Sequence, residues 1–264
     1  MVKHGKKQEL SVVLATFNEE KNLPACLDSV TGLASEIVIV DGSSEDKTVE
    51  IAKKYGAKIR VTQNLPIFHI NKQKAIDLAT KDWILQLDAD EKVTPELKIE
   101  IQSTINNQQS TTNGYWIPRK NWFLGRFLMK GGQYPDYTLR LYKRGKGKLP
   151  QKDVHEQAVV EGNVGYLLNP ILHYPYKGFS DYILKWNRYC DLLAKQLADK
   201  LRNKSLGIAF LYGLGYMLVK PSHWFLTTYI RHKGFVDLWP GFIFSFFSAL
   251  RFPVSYLRYL KILW

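Results

Sequence analysis

Apolar residues fall in short runs along the first hundred positions, and the period within each run distinguishes strand from helix. Leu10–Thr16 (LSVVLAT) is continuously apolar and rich in β-branched residues, which predicts a strand buried on both faces. Asn18–Val30 places Leu23, Leu27 and Val30 on one face. That predicts a helix capped by Asn18, with Glu19 and Glu20 in its first turn. Glu36–Val40 predicts a second buried strand, Asp46–Tyr55 a helix stopped by Gly56, and Lys58–Thr62 a third strand. Lys72–Thr80 predicts a helix, Trp83–Leu87 a fourth strand, and Thr94-Pro95 opens a helix running to Ile105. Strands alternating with helices predict an α/β fold with a mixed, mainly parallel sheet flanked by helices.

Past the polar stretch Asn106–Asn113 the texture changes. Tyr115–Arg119 and Thr138–Lys143 predict strands of a mixed sheet. Phe179–Lys200 predicts a helix with Tyr182, Trp186, Tyr189, Leu193 and Leu197 on one side. Residues 10–200 are therefore expected to form one α/β domain, with halves at 10–107 and 108–200. Residues 1–9 are expected as a basic leader, with too short an apolar run behind them for a signal peptide.

Charge separates the remainder. The chain has 264 residues and a formal net charge of +13. Residues 201–264 hold eight basic residues and one acid, so a quarter of the length carries +7. The same segment holds 16 of the 35 aromatic residues. Basic residues mixed with aromatic and apolar runs predict amphipathic helices lying on an anionic membrane surface. The uncharged run Leu206–Val219 has 14 residues, short of the roughly 20 needed to span a bilayer. The alternatives are a helical cap that packs on the α/β domain or on a second copy, or a hairpin dipping into the bilayer. No nucleic-acid recognition motif accompanies the charge. Two distant cysteines, Cys26 and Cys190, make no disulfide framework or cysteine-rich metal site.

Ligands of open α/β sheets bind beyond the carboxyl ends of the strands. Three polar clusters fall there: Thr16-Phe-Asn-Glu19, Asp41-Gly-Ser-Ser-Glu-Asp46 and Asp88-Ala-Asp-Glu91. None is a glycine-rich dinucleotide fingerprint or a P-loop. Strand-end carboxylates without a phosphate-cradling loop suggest a nucleotide held through its base, its ribose and a bridging metal. Asp88 and Asp90, spaced i, i+2 in a turn, can reach one polar ligand together, a divalent cation among them; a solvated loop is the alternative. Asp46 is expected to cap the following helix. Glu91 is expected to support the Asp88–Asp90 pair from behind or to open the next helix. Lys74 is expected to be solvated, and His173 to be a core residue or a metal ligand. Asp136 is expected in a ligand-facing loop, and Tyr115, Trp116 and Trp122 in the core or stacked on a ligand.

The run SVVLATFNEEKNLPACLDSV, followed by EIVIVDGSSEDKTVEIAKKYGAKI and DWILQLDADE, resembles family 2 glycosyltransferases of the GT-A fold. GGQYPDYTLRLYKRGKGKL with DVHEQAVVEGNVGYLLNPILHYPY resembles their bacterial lipopolysaccharide-core β-glucosyltransferase-like subgroup. The resemblance covers Leu10 to Tyr189. It implies an inverting enzyme that uses a nucleotide-diphospho sugar, UDP-glucose above all, with Mg or Mn as cofactor. It further implies a lipid-linked or envelope glycan acceptor at the cytoplasmic membrane face. A soluble or protein acceptor is the alternative, with 201–264 as an oligomerisation or packing element; a non-catalytic scaffold is a third.

By the same resemblance Thr16, Asn18 and Glu19 match the first nucleotide-contacting loop. Asp41 matches the acid on the base or ribose, with Ser43 beside it, and Lys72 a basic position near the base and diphosphate. Asp88 matches the ribose-side acid, Asp90 the metal-binding acid, and Arg140 an arginine near the donor and acceptor pocket. Val154-His-Glu156 matches the place of the acceptor-activating carboxylate. A hydroxyl that attacks an anomeric carbon must lose a proton, so a carboxylate is needed beside it. Glu156 takes that role and Asp153 is the runner-up. His155 orients the base, touches the diphosphate, ligates the metal, or is a structural loop histidine.

Overall fold

A computed structural model describes residues 8–107, 109–150, 157–202 and 204–263. Contacts divide the chain into two units. The first comprises residues 1–119 and 136–173, the second 120–135 and 174–264.

The first unit begins with β1 (Leu10–Thr16), α1 (Leu23–Val30), β2 (Glu36–Asp41), α2 (Thr48–Lys54) and β3 (Lys58–Val61). It continues with α3 (His69–Leu78), β4 (Trp83–Gln86), β5 (Glu91–Val93) and α4 (Pro95–Ile105). β1 pairs in parallel with β2 and with β4, and β2 with β3. Beyond β4 the sheet turns antiparallel, through β8 (Asp136–Lys143) and then β6 (Gly114–Phe123). β9 (Gly147–Lys148) pairs with β10 (Val159–Val160), β11 (Val164–Tyr166) runs parallel beside β6, and β12 (Ile171–His173) pairs antiparallel with β5. The mixed, mainly parallel sheet expected from the alternation is the architecture found.

Alternation along β1 decides its two cores. Val12 and Leu14 pack with Leu23, Leu27 and Val30 of α1 and Leu97 and Ile101 of α4. Val13 packs on the other side with Val38, Val40 and α3's Ala75 and Ile76. Each fully buried aliphatic side chain stabilises the fold by about 1.5–3 kcal/mol. Thr94 caps α4, its hydroxyl accepting from Leu97 N at 3.2 Å.

Asn18 does not cap α1. Its φ is +54°, a left-handed conformation that asparagine tolerates, and its Oδ1 accepts from Glu45 N at 2.9 Å. The helix starts five residues later, at Leu23, with a proline in its first turn, so Glu19 and Glu20 precede it. The loop after β2 likewise has Ser43 at φ +65°. Asp46 ties the start of α2, accepting from Thr48 N at 2.9 Å.

In the second unit, β7 (Arg126–Phe127) pairs with the end of β6. The rest is helical: α5 (Phe179–Leu201), α6 (Leu206–Leu214), α7 (Lys220–Phe225) and α8 (Leu238–Leu263). π-Helical turns occupy Gly215–Val219 and Leu226–Arg231, and a 3-10 turn Gly234–Asp237. α5 and α8 pack through one buried cluster in which Ala194, Leu197 and Leu201 meet Tyr259. This face rotates the expected stripe, so Tyr182 and Trp186 pack inward while Tyr189 stays 43% exposed.

Candidate functional site

Two cavities open at the carboxyl end of the parallel strands, both within the first unit. One, of about 330 Å³, is lined by Thr16, Glu19, Asn71, Lys72, Asp88, Asp90 and His173. The other, of about 250 Å³, is lined by Lys72, Gln86, Asp88, Arg119, Thr138 and Arg140. Lys72 and Asp88 belong to both.

The register of β4 against β8 builds the shared wall. Leu85 lies opposite Leu141, so Gln86 and Arg140 share a face, and Asp88, two residues on, joins them. Asp88 ion-pairs with Lys72 through Oδ1 and with Arg140 Nη2 at 2.8 Å through Oδ2. Arg140 Nη2 also reaches Glu91 Oε1 at 2.9 Å, and Arg119 Nη1 reaches the same oxygen at 3.4 Å. Arg119 Nη2 then donates to Asp136 Oδ2 at 2.7 Å, the two residues being register partners of β6 and β8. Glu91 is fully buried, and its Oε2 accepts from Asp88 N at 2.9 Å. It opens β5 rather than a helix, and it supports Asp88 from behind as expected.

Burial opposes the charge on Asp88, but Arg140 and Lys72 outweigh it and hold its pKa well below the usual carboxylate range. Burial lowers the pKa of Lys72, and Asp88 offsets part of that. Burial likewise works against Arg140 and Arg119. Asp88 and Glu91 raise the first, Glu91 and Asp136 the second, and both stay charged. Buried polar atoms remain without a partner among the described residues at Gln86 Oε1 and Arg140 Nε.

Thr16 lies at the cavity wall and donates to Asp41 Oδ2 at 2.7 Å. Asp41 is fully buried; Ser44 N and Ser44 Oγ also donate to it, each at 2.7 Å. It therefore fixes the loops after β1 and β2 against each other. Ser43 is exposed and donates to Thr62 O at 2.8 Å. Glu19 lines the larger cavity and accepts from Asn22 Nδ2 at 2.8 Å. Lys74 is half-buried, 3.3 Å from Thr62 Oγ1. Trp83 packs on Tyr115, and Tyr166 stacks on Trp116. Glu156, Asp153 and His155 lie outside the described residues.

Asp90 Oδ2 stands 3.5 Å from His173 Nε2, because β12 runs antiparallel to β5 with His173 opposite Glu91. Among the described residues no cluster of three or more His, Cys, Asp or Glu gathers there. The Asp90 carboxylate suits Mg or Mn, which take oxygen ligands, and the His173 imidazole fits Mn better than Mg.

Sequence reasoning passed over Phe68, His69, Gln86 and Arg119. Two carried a signal: Gln86 lies two residues before Asp88 on a strand period, and Phe68 one helical turn before Lys72. Arg119 carried none.

The family model for glycosyl transferase family 2 matches residues 11–156. Over 260 residues the chain is 30% identical to the lipopolysaccharide core biosynthesis glycosyltransferase LpsC of Rhizobium meliloti (strain 1021), covering 93% of this chain and 92% of that one. It is 28% identical over 255 residues to an uncharacterized glycosyltransferase of Rickettsia typhi, covering 92% and 83%. Among solved structures, S. aureus TarS 1–349 in complex with UDP-GlcNAc matches with a TM-score of 0.48 at 16% identity, covering 95% and 83%.

Proposed function

The chain belongs to glycosyl transferase family 2, and from that premise we propose that it moves a hexose from a UDP-sugar to a lipid-linked envelope glycan, with inversion. The near full-length likeness to a lipopolysaccharide core enzyme supports the acceptor class. The observation that carries the donor reading is the pair of adjoining cavities that share Lys72 and Asp88. The larger takes the nucleoside, with Thr16 at the end of β1 and Asn18 and Glu19 on the loop beyond it. The smaller takes the diphosphate and sugar, where Lys72 and Arg140 present positive charge. Asp90 and His173 would hold the divalent ion, which supplies Lewis-acid stabilisation of the leaving diphosphate when bound. Leu149 and Gln157, which bracket residues 151–156 in sequence, line the smaller cavity, and this supports a base from that stretch. In this reading Glu156 takes the acceptor's proton; Asp153 is the alternative base.

The exposed surface of the second unit supports membrane association. Phe210, Leu211, Leu218, Val219, Leu238 and Trp239 are each 60–65% exposed. Arg231 and Lys233 are exposed between these runs, which fits anionic headgroups. Gly234–Ile262 is the one segment among the described residues long and apolar enough to cross a bilayer, by length and composition. We assign it to the interface because α8 alternates buried and exposed faces, and we propose the cytoplasmic face from the likeness to a lipopolysaccharide core enzyme.

The test is a panel of nucleotide sugars, scored for thermal stabilisation and for hydrolysis with and without Mg or Mn. A UDP-hexose should give the largest response, with turnover lost on chelation and in Asp90→Ala. Glu156→Gln should keep UDP binding and lower turnover about 100- to 10,000-fold. A near-normal rate in Glu156→Gln with loss in Asp153→Asn would move the base to Asp153.

A further inference from the structure

Within the second unit, two clefts of about 190 and 340 Å³ meet at Phe244, Ser248 and Arg251 of α8. Arg251 is half-buried, and its Nε is out of water without a partner among the described residues. Its guanidinium lies over the Trp224 ring, 4.6 Å from the centroid, and no carboxylate among the described residues ion-pairs with it. The other arginine of α8, Arg258, contrasts: it pairs with Asp191 at 2.8 Å and donates to Asn187 O at 2.8 Å. Among the described residues, those lining the two clefts include Lys185, His223 and His232, and no Asp or Glu. Lys185 holds Asp181 at 3.3 Å, outside the lining.

A partly desolvated cation without a counter-ion is unfavourable, and an oxyanion arriving at its free edge removes the penalty. The walls favour more than a bare anion. Tyr176, Tyr182, Trp186 and Tyr189 line the smaller cleft, and Trp224 the larger. Of these rings Tyr189 is the most exposed, and its flat face matches the apolar face of a pyranose ring, while a guanidinium fork matches phosphate or carboxylate.

We propose that the Arg251 cleft binds an anionic saccharide, a sugar bearing a phosphate or a carboxylate. Its identification with part of the acceptor rests on the transferase reading above; the binding itself does not. Saturation-transfer NMR titrations of the full chain test it, with glucose 6-phosphate, glucuronate, glucose and inorganic phosphate as probes at one ionic strength. Glucose 6-phosphate and glucuronate should bind at least about tenfold more tightly than glucose or inorganic phosphate. Arg251→Gln should remove that preference, while Arg251→Lys keeps part of it. Tyr189→Ala should weaken glucose 6-phosphate several-fold and leave inorganic phosphate unchanged. Saturating UDP should not displace the sugar phosphate. Displacement by UDP would place the probe in the nucleotide cavity and overturn the proposal. So would equal affinity for inorganic phosphate, or unchanged affinity in a folded Arg251→Gln variant. UDP binding read in the same samples tests the transferase reading separately.

Discussion

Glu91 is fully out of water, yet its carboxylate serves Arg140 at 2.9 Å, Arg119 at 3.4 Å and Asp88 N at 2.9 Å. A buried charge held by that many partners is costly to remove from one side, because the partners remain. Glu91→Ala should lower stability by about 3–5 kcal/mol in urea unfolding, the range for breaking a buried ion pair. It should also weaken UDP binding, since Asp88 and Arg140 lose their support. Asp88 gives the pH dependence. Its folded pKa is depressed by Arg140 and Lys72 against the opposing effect of burial, so the unfolded chain takes the proton first. The stability it confers is present above about pH 4 and is lost as pH falls through the folded value. Asp88→Asn should flatten the acid limb of the stability–pH curve; an unchanged limb would remove Asp88 as its source. The sequence placed Asp88 and Asp90 at a strand end, but it gave no sign that Asp88 spends both oxygens on cations.

At the scale of elements, two glycines separate close packing from open surface. A Cβ on Gly241 of α8 would sit 2.0 Å from Gly234 O and 2.9 Å from Asp237 Cβ, so the 3-10 turn and α8 touch through backbone. Gly207 of α6 has nothing within 4 Å of the same position. Gly241→Ala should therefore destabilise by about 1–3 kcal/mol, as overpacking does, with the backbone unable to yield cheaply. Gly207→Ala should stabilise by about 0.5–1 kcal/mol through helix propensity. Thermal unfolding of the two variants should shift in opposite directions; shifts of the same sign would contradict this packing. The elements themselves were largely legible. Leu10–Thr16 appears as the expected strand and Thr94-Pro95 as the expected helix start. The start of α1 was not legible. Asn18 has the residue type of a cap, but Ser44 Oγ accepts its N–H and Glu45 N donates to its side chain. Contacts with a loop 26 residues away overrode a local preference.

For the whole molecule, the net charge of +13 resolves into two roles. In the first unit Lys72, Arg119 and Arg140 are spent on the ion pairs around Asp88 and Glu91. In the second, Arg258 is engaged with α5, and Lys220 lies 3.7 Å from the Tyr216 ring centroid. Arg231 and Lys233 remain exposed, and membrane binding through them is the proposal to test. The full chain should co-sediment with vesicles carrying an anionic phospholipid, less so as salt rises. Arg231→Gln combined with Lys233→Gln should weaken that binding roughly 30-fold, at about 1 kcal/mol for each basic residue. Equal binding to neutral vesicles would leave only the apolar contribution.

The sequence by itself determined the alternation of strands and helices, the strand-end carboxylates and the concentration of charge and aromatics after residue 200. These follow from residue type and from spacings of two to four positions, which neighbouring residues encode without help. Only the tertiary structure decided which groups meet. Arg140 reaches Asp88 because β8 lies antiparallel beside β4, with Leu85 opposite Leu141. Asp90 reaches His173 because β12 lies antiparallel to β5. Among the described residues Arg251 is left without a counter-ion, because the elements packed around it bring rings and no carboxylate to its cleft. Strand order and helix rotation depend on how the whole chain buries its apolar faces, and no local window contains that information.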